Sequence, residues 1–386
     1  MVNFFGLTEN PQINFEKYFE VMKDFRKGGL NPTMYDEFIG MVKKLPQIYI
    51  RKSNDYLIFK KFNFVDISED DISSISKEVI RRGIENNKFC WHPEADISTC
   101  QLDKSGKINI SAAHSIQNNG VLSRIVENGH VMSYNLDKGE FEGKEYGKKL
   151  ASIFWGFCNT HDAIFRPIEI ETYKQTEEQN FLFAYRGFVV ASHKKIEVSS
   201  FMNYGEQSEN DIVENRKLFD YGILNKDYSI IKTEVFELPL FYPIAVSSSF
   251  YLDFDFEGNE IKHSDNRMED LFITLLPSDN NKTYFLLSYF KCDENLYKNL
   301  GNQLKKRNKL KSDITMLIAA HVENVYFNPI YYKTFIEKHE ENLRKILHQS
   351  QMDYVQVGAD NEIKSSISLT PNDYLTNPLG INFFGY

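Results

Sequence analysis

The chain has 386 residues, 42% of them hydrophobic and 26% charged, which is enough for two or three domains around a substantial core. Its formal net charge of −9 excludes a uniformly basic surface of the kind that coats nucleic acid, although it leaves room for a local basic patch. No stretch approaches the ~20 apolar residues of a membrane span, and the amino terminus lacks the pattern of a signal peptide. We therefore expect a cytoplasmic protein with no membrane partner.

Local patterns divide the chain into segments of different character. These are an N-terminal region of helices and a strand at 1–87, a loop-rich segment at 88–170, an α+β domain at 171–350 and a tail at 351–386. Aromatic residues at helical spacing predict two short helices within 14–47, and Tyr56–Phe62 is typical of a strand. A further helix is predicted at about 70–86, where aspartates precede an apolar helix face.

Candidate zinc ligands are concentrated in the loop-rich segment, which contains three of the four cysteines and four of the nine histidines. Zinc prefers thiolate and imidazole donors and needs four of them in a tetrahedron. Cys90 and Cys100 form a first pair, and Cys158 with His161 forms a Cys-x-x-His pair that a tight turn can aim at one ion. These four residues are predicted to hold structural zinc, with His92 as a possible replacement for either cysteine of the first pair. The alternative is a set of buried free thiols beside a surface histidine.

The order of these residues resembles the HNH endonuclease superfamily, whose ββα-metal module is a treble clef. The likeness is carried by the first cysteine pair, the segment Ala112-Ala113-His114-Ser115-Ile116, and the closing Cys-x-x-His. It covers about 80 residues and implies an α+β protein in which a zinc-stapled, treble-clef-like module at 88–170 is embedded in a larger mixed helix and sheet structure. By this resemblance, His114 would be the general base that polarises a water molecule for attack on a phosphodiester. Asp162 would help to hold a catalytic Mg²⁺ or Mn²⁺ ion.

The chain departs from the HNH pattern at several positions. Nine residues separate Cys90 from Cys100 instead of two, and Ala113 stands where an acidic partner of the base is usual. The middle asparagine of the pattern has no unique match, since Asn118, Asn119 and Asn128 all compete. Packing against the backbone is the alternative role for His114, and a place in a turn is the alternative role for His130.

After Pro167 the predicted elements become longer. Thr176 followed by Gln179 is typical of a capping box and predicts a helix over 176–196. The polar stretch 203–217 could be a loop or an exposed helix. Further elements are predicted as strands at 235–240, 245–256 and 284–289 and as helices at 313–325 and 329–348.

Two polar clusters in this half have both a functional and a structural interpretation. Asp253 and Asp255 would face one side of a strand and could hold magnesium, although solvated surface carboxylates are the favoured interpretation. The basic run Leu304–Lys311 could contact phosphates, although a solvated helix face is favoured.

The resemblance to the HNH superfamily therefore implies a metal-dependent, HNH-like nuclease acting on DNA or RNA. Analogy with similar modules joined to unfamiliar domains adds a role in bacterial defence against phage. The alternative is a non-enzymatic, zinc-stabilised sensor or adaptor that binds a ligand or a protein partner through residues 171–350. A protein partner or a second copy of the chain is a further expected partner. A third hypothesis places an active centre in the larger domain, near Asp253.

Overall fold

The computed structural model describes residues 48–52, 55–59, 84–85, 87–135, 142–199, 205–264, 267–278, 280–343, 346, 353–357, 363–367, 377 and 379–385. The helices predicted within 14–47 and nearly all of the helix predicted at 70–86 lie outside these residues. The chain forms two compact units, of which the first is Met1–Lys88, Asn135–Glu140 and His193–Glu209 and the second is Phe89–Tyr134, Phe141–Ser192 and Asn210–Tyr386.

The strands of the described residues are numbered in chain order. They are β1 Ile48–Lys52, β2 Asp55–Phe59, β3 Ile110–His114, β4 His130–Asn135, β5 Glu142–Gly147, β6 Ile153–Cys158, β7 Ile231–Leu238, β8 Ile244–Phe250, β9 Leu271–Pro277, β10 Thr283–Phe290, β11 Val325–Phe327, β12 Asp353–Val357 and β13 Ile363–Ile367. Antiparallel two-stranded sheets are formed by β1 with β2, by β3 with β6, and by β12 with β13.

The helices of the described residues are numbered in the same way. They are α1 Val121–Ile125, α2 Asn159–Asp162, α3 Arg166–Glu169, α4 Glu177–Ser199, α5 Gly205–Asn225, α6 Glu294–Tyr297, α7 Leu300–Arg307, α8 Leu310–His321 and α9 Pro329–Tyr331. Single 3₁₀ turns lie at 163–165, 228–230, 291–293 and 337–339, and a π-helical turn lies at 332–336. No helix within the described ranges is long and apolar enough to span a bilayer.

A seven-stranded sheet forms the centre of the second unit. Its strand order is β5-β4-β11-β8-β9-β10-β7. Antiparallel pairing joins β4 to β11, β11 to β8, β8 to β9, β9 to β10 and β10 to β7. Every residue of β9 and β10 is buried, because each is a run of mainly apolar side chains covered on both faces. Helix α1 packs its buried Leu122 and Ile125 into the same core as Leu286 of β10. The mixed helix and sheet architecture is as predicted.

The sheet combines β4 and β5, which lie in the predicted segment 88–170, with strands from the predicted segment 171–350. Parts of both segments therefore belong to one compact unit, and the proposed boundaries at 87, 170 and 350 stay predictions.

Several predicted elements differ from the observed ones. Residues 205–217 of the polar stretch, for which a loop and an exposed helix were both open, belong to helix α5. The strand predicted at 245–256 ends at Phe250 as β8, and β9 was not predicted because its continuous apolar run lacks the alternation of a half-buried strand. The helix predicted at 313–325 ends at His321, since Val325 begins the short strand β11.

Candidate metal centre

The two-stranded antiparallel sheet of β3 and β6 carries the residues on which the site is built. Ile110 pairs with Cys158 at one end, and His114 pairs with Ile153 at the other. The register shifts between Ser111 and Ala113, so the strand is irregular just before His114. The two ends of this small sheet therefore present a candidate zinc ligand and the candidate base.

The Cys-x-x-His pair lies where β6 turns into α2. Cys158 has an extended backbone (φ −79°, ψ 157°) and stands at the N-cap of α2, so that His161 falls within the first helical turn. Residues three apart on a helical turn lie on the same side. The spacing that predicted a shared ion is thus produced by a strand-to-helix junction.

The wide first pair is brought to the same place by a folded loop. The amide of Trp91 donates to the Gly156 carbonyl at 2.9 Å, which ties the chain after Cys90 to β6. The Asp96 carboxylate accepts from the amides of Ser98 and Thr99, and the Cys100 amide donates to the Asp96 carbonyl at 3.0 Å. The nine residues between Cys90 and Cys100 therefore fold back on themselves, and the two thiols lie close together.

The four predicted ligands converge. Their donor atoms all lie within 4.8 Å of one another, and all four residues are buried. Nδ1 of His161 is 3.5, 3.4 and 3.3 Å from the sulfur atoms of Cys90, Cys100 and Cys158. With Zn–S of about 2.3 Å and Zn–N of about 2.1 Å, a tetrahedral site places nitrogen and sulfur roughly 3.6 Å apart. This group could hold a metal ion such as zinc.

The protonation of the thiols fits a site that is completed by a cation. Burial raises the pKa of Cys90, and it raises the pKa of Cys100 to about 12. Burial opposes ionisation of Cys158 as well, but hydrogen bonds from the amides of Gln101 and His161 lower the pKa of this thiol overall. Three thiolates cannot coexist in so small a space without a positive charge between them.

His92 is not part of the converging group. Its ring stacks on that of His161, with 4.2 Å between the ring centres and 10° between the planes, and its Nδ1 accepts from the Glu94 amide. Burial, aided by the neighbouring His161, lowers the pKa of His92 to about 4. His92 therefore packs as a neutral ring against the candidate ligand His161, and the converging group contains Cys90 and Cys100 but not His92.

Aromatic side chains surround the converging group. The ring of Phe157 contacts Phe165 edge-on at 5.2 Å, and Phe165 stacks on Tyr185 at 5.8 Å between ring centres. Gly156 is required beside them, because a Cβ there would lie 2.4 Å from the Phe154 ring. These buried rings form a core beside the β3–β6 sheet rather than an exposed platform for stacking bases.

His114 lies at the end of β3 with one nitrogen engaged. Its Nδ1 is 2.9 Å from the Ala151 carbonyl, which can only accept, so Nδ1 carries the proton and Nε2 keeps its lone pair. Burial lowers the pKa of His114, and the nearby cations Arg186 and Lys148 lower it further against the opposing effects of Ala151 and Glu169. The ring is therefore held neutral, in the tautomer that a general base needs.

Asp162 follows the last candidate zinc ligand directly. Its Oδ1 is buried and has no hydrogen-bond partner among the described residues. Burial raises the pKa of its carboxyl, and Glu169 adds to this while Arg186 opposes it. His114 and Asp162 thus belong to one electrostatic cluster, whose further members are Glu169 and Arg186.

The sequence analysis missed Glu169 and Arg186. Residues 159–169 are helical almost throughout, as α2, a 3₁₀ turn and α3, so Glu169 follows Asp162 by about two turns. Asp162 and Glu169 are carboxylates seven residues apart on one helical stretch, and this spacing could have been recognised in the sequence. Arg186 gave no such signal, because it lies in α4 and reaches the cluster only through the tertiary fold.

The other candidate residues have structural roles. His130 is exposed, and its Nδ1 lies 2.9 Å from the Asn128 carbonyl in a tight turn, as the alternative interpretation had it. Asp255 accepts hydrogen bonds from Glu257, Asn259 and Gln303, so it closes a turn outside any strand. The prediction that Asp253 and Asp255 share one side of a strand is wrong, because β8 has already ended.

The basic run spans the end of α7 and the start of α8, and several of its side chains have partners within the protein. Lys305 pairs with Glu234 at 2.9 Å, and Arg307 pairs with Asp313 at 3.0 Å. Lys311 donates to the Tyr242 hydroxyl at 3.3 Å. These contacts favour the structural interpretation of the run over phosphate binding.

Comparison with known proteins finds no matching family, no matching curated protein and no matching solved structure. The chemistry of the site is therefore inferred from its residues and geometry.

Proposed function

We propose that the chain is a zinc-stabilised, HNH-like nuclease that hydrolyses phosphodiester bonds in DNA or RNA. The observation that carries the proposal is the position of two features at opposite ends of the β3–β6 sheet: a Cys₃His group at one end and a carbonyl-anchored histidine at the other. Their order, Cys90 and Cys100, then His114, then Cys158 and His161, is that of a treble clef carrying a ββα-metal centre.

Zinc in the Cys₃His group would be structural. Four protein donors complete a tetrahedral shell and leave no open position for a water molecule or a substrate. Its effect would be to fix α2 against β6 and the loop at 90–100 against both. The orientation of the β3–β6 sheet, and with it of His114, would then depend on the ion.

His114 would act as the general base. With its Nδ1 proton donated to the Ala151 carbonyl, Nε2 can accept a proton from a water molecule that attacks phosphorus. The lowered pKa of His114 supports this role, because a histidine with a lowered pKa is neutral at pH 7 and can accept a proton.

A divalent ion such as Mg²⁺ or Mn²⁺ fits the carboxylates of the same cluster. The buried Oδ1 of Asp162 needs a partner, and an oxygen ligand of this kind suits a hard cation. By the same resemblance, Asp162 would hold the ion. When bound, it would neutralise charge that develops on the phosphate.

Cleavage assays test the proposal. Wild-type protein, His114→Ala and the matched control His130→Ala are incubated with single- and double-stranded DNA and RNA, with Mg²⁺ or Mn²⁺. We expect the wild type and His130→Ala to cut at least one substrate equally well, and His114→Ala to lose about a hundredfold or more in rate. Zinc content of each variant shows that the fold is retained.

Two results would contradict this proposal. If wild-type protein cuts none of these substrates, the nuclease role fails, and retained zinc would then favour the sensor or adaptor. If His114→Ala cuts as fast as the wild type, the site of hydrolysis lies elsewhere.

A further inference from the structure

His114 is held by the peptide group that joins Ala151 to Ser152. The carbonyl oxygen of this peptide group lies 2.9 Å from Nδ1 of His114, and the hydroxyl of Ser152 lies 3.3 Å from the same nitrogen. Both oxygens can accept the Nδ1 proton, and a bond of this kind determines which nitrogen of a neutral imidazole is protonated. The orientation of the Ala151–Ser152 peptide group therefore decides which nitrogen of His114 keeps its lone pair.

Ser152 has an unfavourable backbone conformation. Its φ of 59° lies in the left-handed region, which residues with a side chain rarely adopt. Among the non-glycine residues with positive φ in the described ranges, Ser152 alone is buried, with 5% of its surface exposed. Such a conformation persists only where the surrounding contacts impose it, and conformations of this kind are concentrated at functional sites.

Hydrogen bonds at every polar group of Ser152 hold it in this conformation. Its amide donates to the Tyr326 hydroxyl at 2.8 Å, and its carbonyl accepts from the Ser115 amide at 2.7 Å. Its hydroxyl donates to the Ile116 carbonyl at 3.2 Å. Ser115 and Ile116 directly follow His114, whereas Tyr326 belongs to β11 of the seven-stranded sheet. The two ends of one planar peptide group therefore connect that sheet to the candidate base.

The sheet holds Tyr326 in place. Its strand β11 lies between β4 and β8, and its ring packs against the core that contains Ile116 and Ala151. Burial raises the pKa of Tyr326 to about 12, so the hydroxyl stays neutral at physiological pH. A second hydrogen bond joins the same two parts of the fold, since the Ser115 hydroxyl donates to Oδ1 of Asn324 at 3.0 Å. The end of β3 is thus fixed from the side of β11.

We propose that Tyr326 is a positioning residue for the candidate base. Its hydroxyl holds the amide of Ser152, and the carbonyl at the other end of the same peptide group is thereby kept directed at Nδ1 of His114. Tyr326 acts through this peptide group and not on a substrate. The inference rests on the proposed function insofar as His114 is the base, whereas the state of the His114 ring can be measured without any cleavage.

Tyr326→Phe tests the inference, because it removes the hydroxyl and keeps the ring that packs in the core. The buried Ser152 amide then lacks its acceptor, so the peptide group is no longer held in one orientation. Tyr331→Phe is the matched control, since the Tyr331 hydroxyl also bonds to a backbone group, the Phe383 carbonyl, at 2.8 Å. Ser152→Ala keeps the amide and removes only the hydroxyl near Nδ1. Zinc content is measured for each variant.

NMR of the ring nitrogens distinguishes the two neutral tautomers of His114, with His114→Ala to assign the signals. We expect the Nδ1–H form to dominate in the wild type. Tyr326→Phe should convert a measurable fraction to the Nε2–H form and lower kcat about tenfold or more with little change in KM. Ser152→Ala should have a smaller effect of the same kind, and Tyr331→Phe should change neither the tautomer nor kcat.

An unchanged tautomer in zinc-loaded Tyr326→Phe would overturn the inference, as would an equal change in Tyr331→Phe. If Tyr326→Phe does not fold, the wild-type protein decides. An Nδ1–H ring and a Ser152 amide that is protected from hydrogen exchange would then support the inference, whereas an Nε2–H ring or a rapidly exchanging amide would overturn it.

The two proposals can fail separately. A tautomer that changes in Tyr326→Phe, in a protein whose wild type cuts nothing, would end the nuclease role alone. A changed tautomer without loss of kcat would count against His114 as the base. Cleavage by the wild type, with an unchanged tautomer in Tyr326→Phe, would end the positioning role alone.

Discussion

Residues 89–109 and the seven-stranded sheet differ in what stabilises them. The first region has turns and one isolated bridge between Leu102 and Ile108, with Ile97 66% exposed. In β9 and β10, by contrast, every residue is buried. Apart from Trp91, which is 1% exposed, this loop buries few large apolar side chains and needs another source of stability, which four converging donors provide when they bind an ion. The sheet needs none, because its apolar core suffices.

The sharpest way to break this comparison is to remove one donor. Cys158→Ser should abolish tight zinc binding and lower the free energy of unfolding by about 5 kcal/mol or more, because ion binding contributes directly to folding. Zinc analysis and denaturant unfolding measure the two effects. Cys292→Ser, which alters the remaining, exposed cysteine outside the group, is the control and should change neither. Full zinc retention in Cys158→Ser would contradict the account.

A cavity in the sheet should destabilise the protein without touching the ion. Phe285 is fully buried in β10 and lies 6.0 Å from the Phe236 ring. Phe285→Ala should therefore cost about 3–5 kcal/mol of unfolding free energy. Zinc content should stay at the wild-type value while the protein is folded. Loss of zinc from folded Phe285→Ala would show that the two regions are not stabilised separately.

Lowering the pH should weaken zinc binding by the loop at 89–109 before it destabilises the seven-stranded sheet. Because burial raises the pKa of Cys90 and Cys100, both thiols are protonated at neutral pH without a metal, and zinc must displace at least these protons. Apparent zinc affinity should then fall by about a hundredfold for each pH unit of acidification. Competition with a chelator between pH 8 and pH 6 measures the slope. A pH-independent affinity would exclude thiolate ligands.

The smallest effect is expected at His92. Since its ring stacks on His161 without joining the donors, His92→Leu should keep one zinc per chain and cost less than about 1.5 kcal/mol. Zinc titration and thermal unfolding of this variant check the expectation. Loss of zinc would mean that His92 is a ligand after all.

How much of the fold and of the candidate site the sequence could predict depends on whether the interactions involved are local or long-range along the chain. The helix predicted from Thr176 is confirmed as α4, and the Gln179 amide does donate to the Thr176 hydroxyl at 3.2 Å, because capping is local. The Gln179 side chain instead accepts from the Lys174 amide, so the reciprocal half of the capping box is absent. Local patterns could not reveal which of these partners the side chain would choose.

The candidate site shows the same limit. Cys158 and His161 could be paired from their spacing alone, whereas the closure of the long loop from Cys90 depends on turns around Asp96. Glu169 was within reach of a helical-face argument. Arg186 was not, because its place beside Glu169 is set by the packing of α4 and not by any repeat in the sequence.

The most direct test is X-ray absorption at the zinc edge on purified protein, with the metal content measured on the same sample. The account predicts one zinc per chain, bound by three sulfur atoms at about 2.3 Å and one nitrogen at about 2.1 Å. A protein that is folded but free of zinc would contradict it, as would a zinc shell made of oxygen and nitrogen.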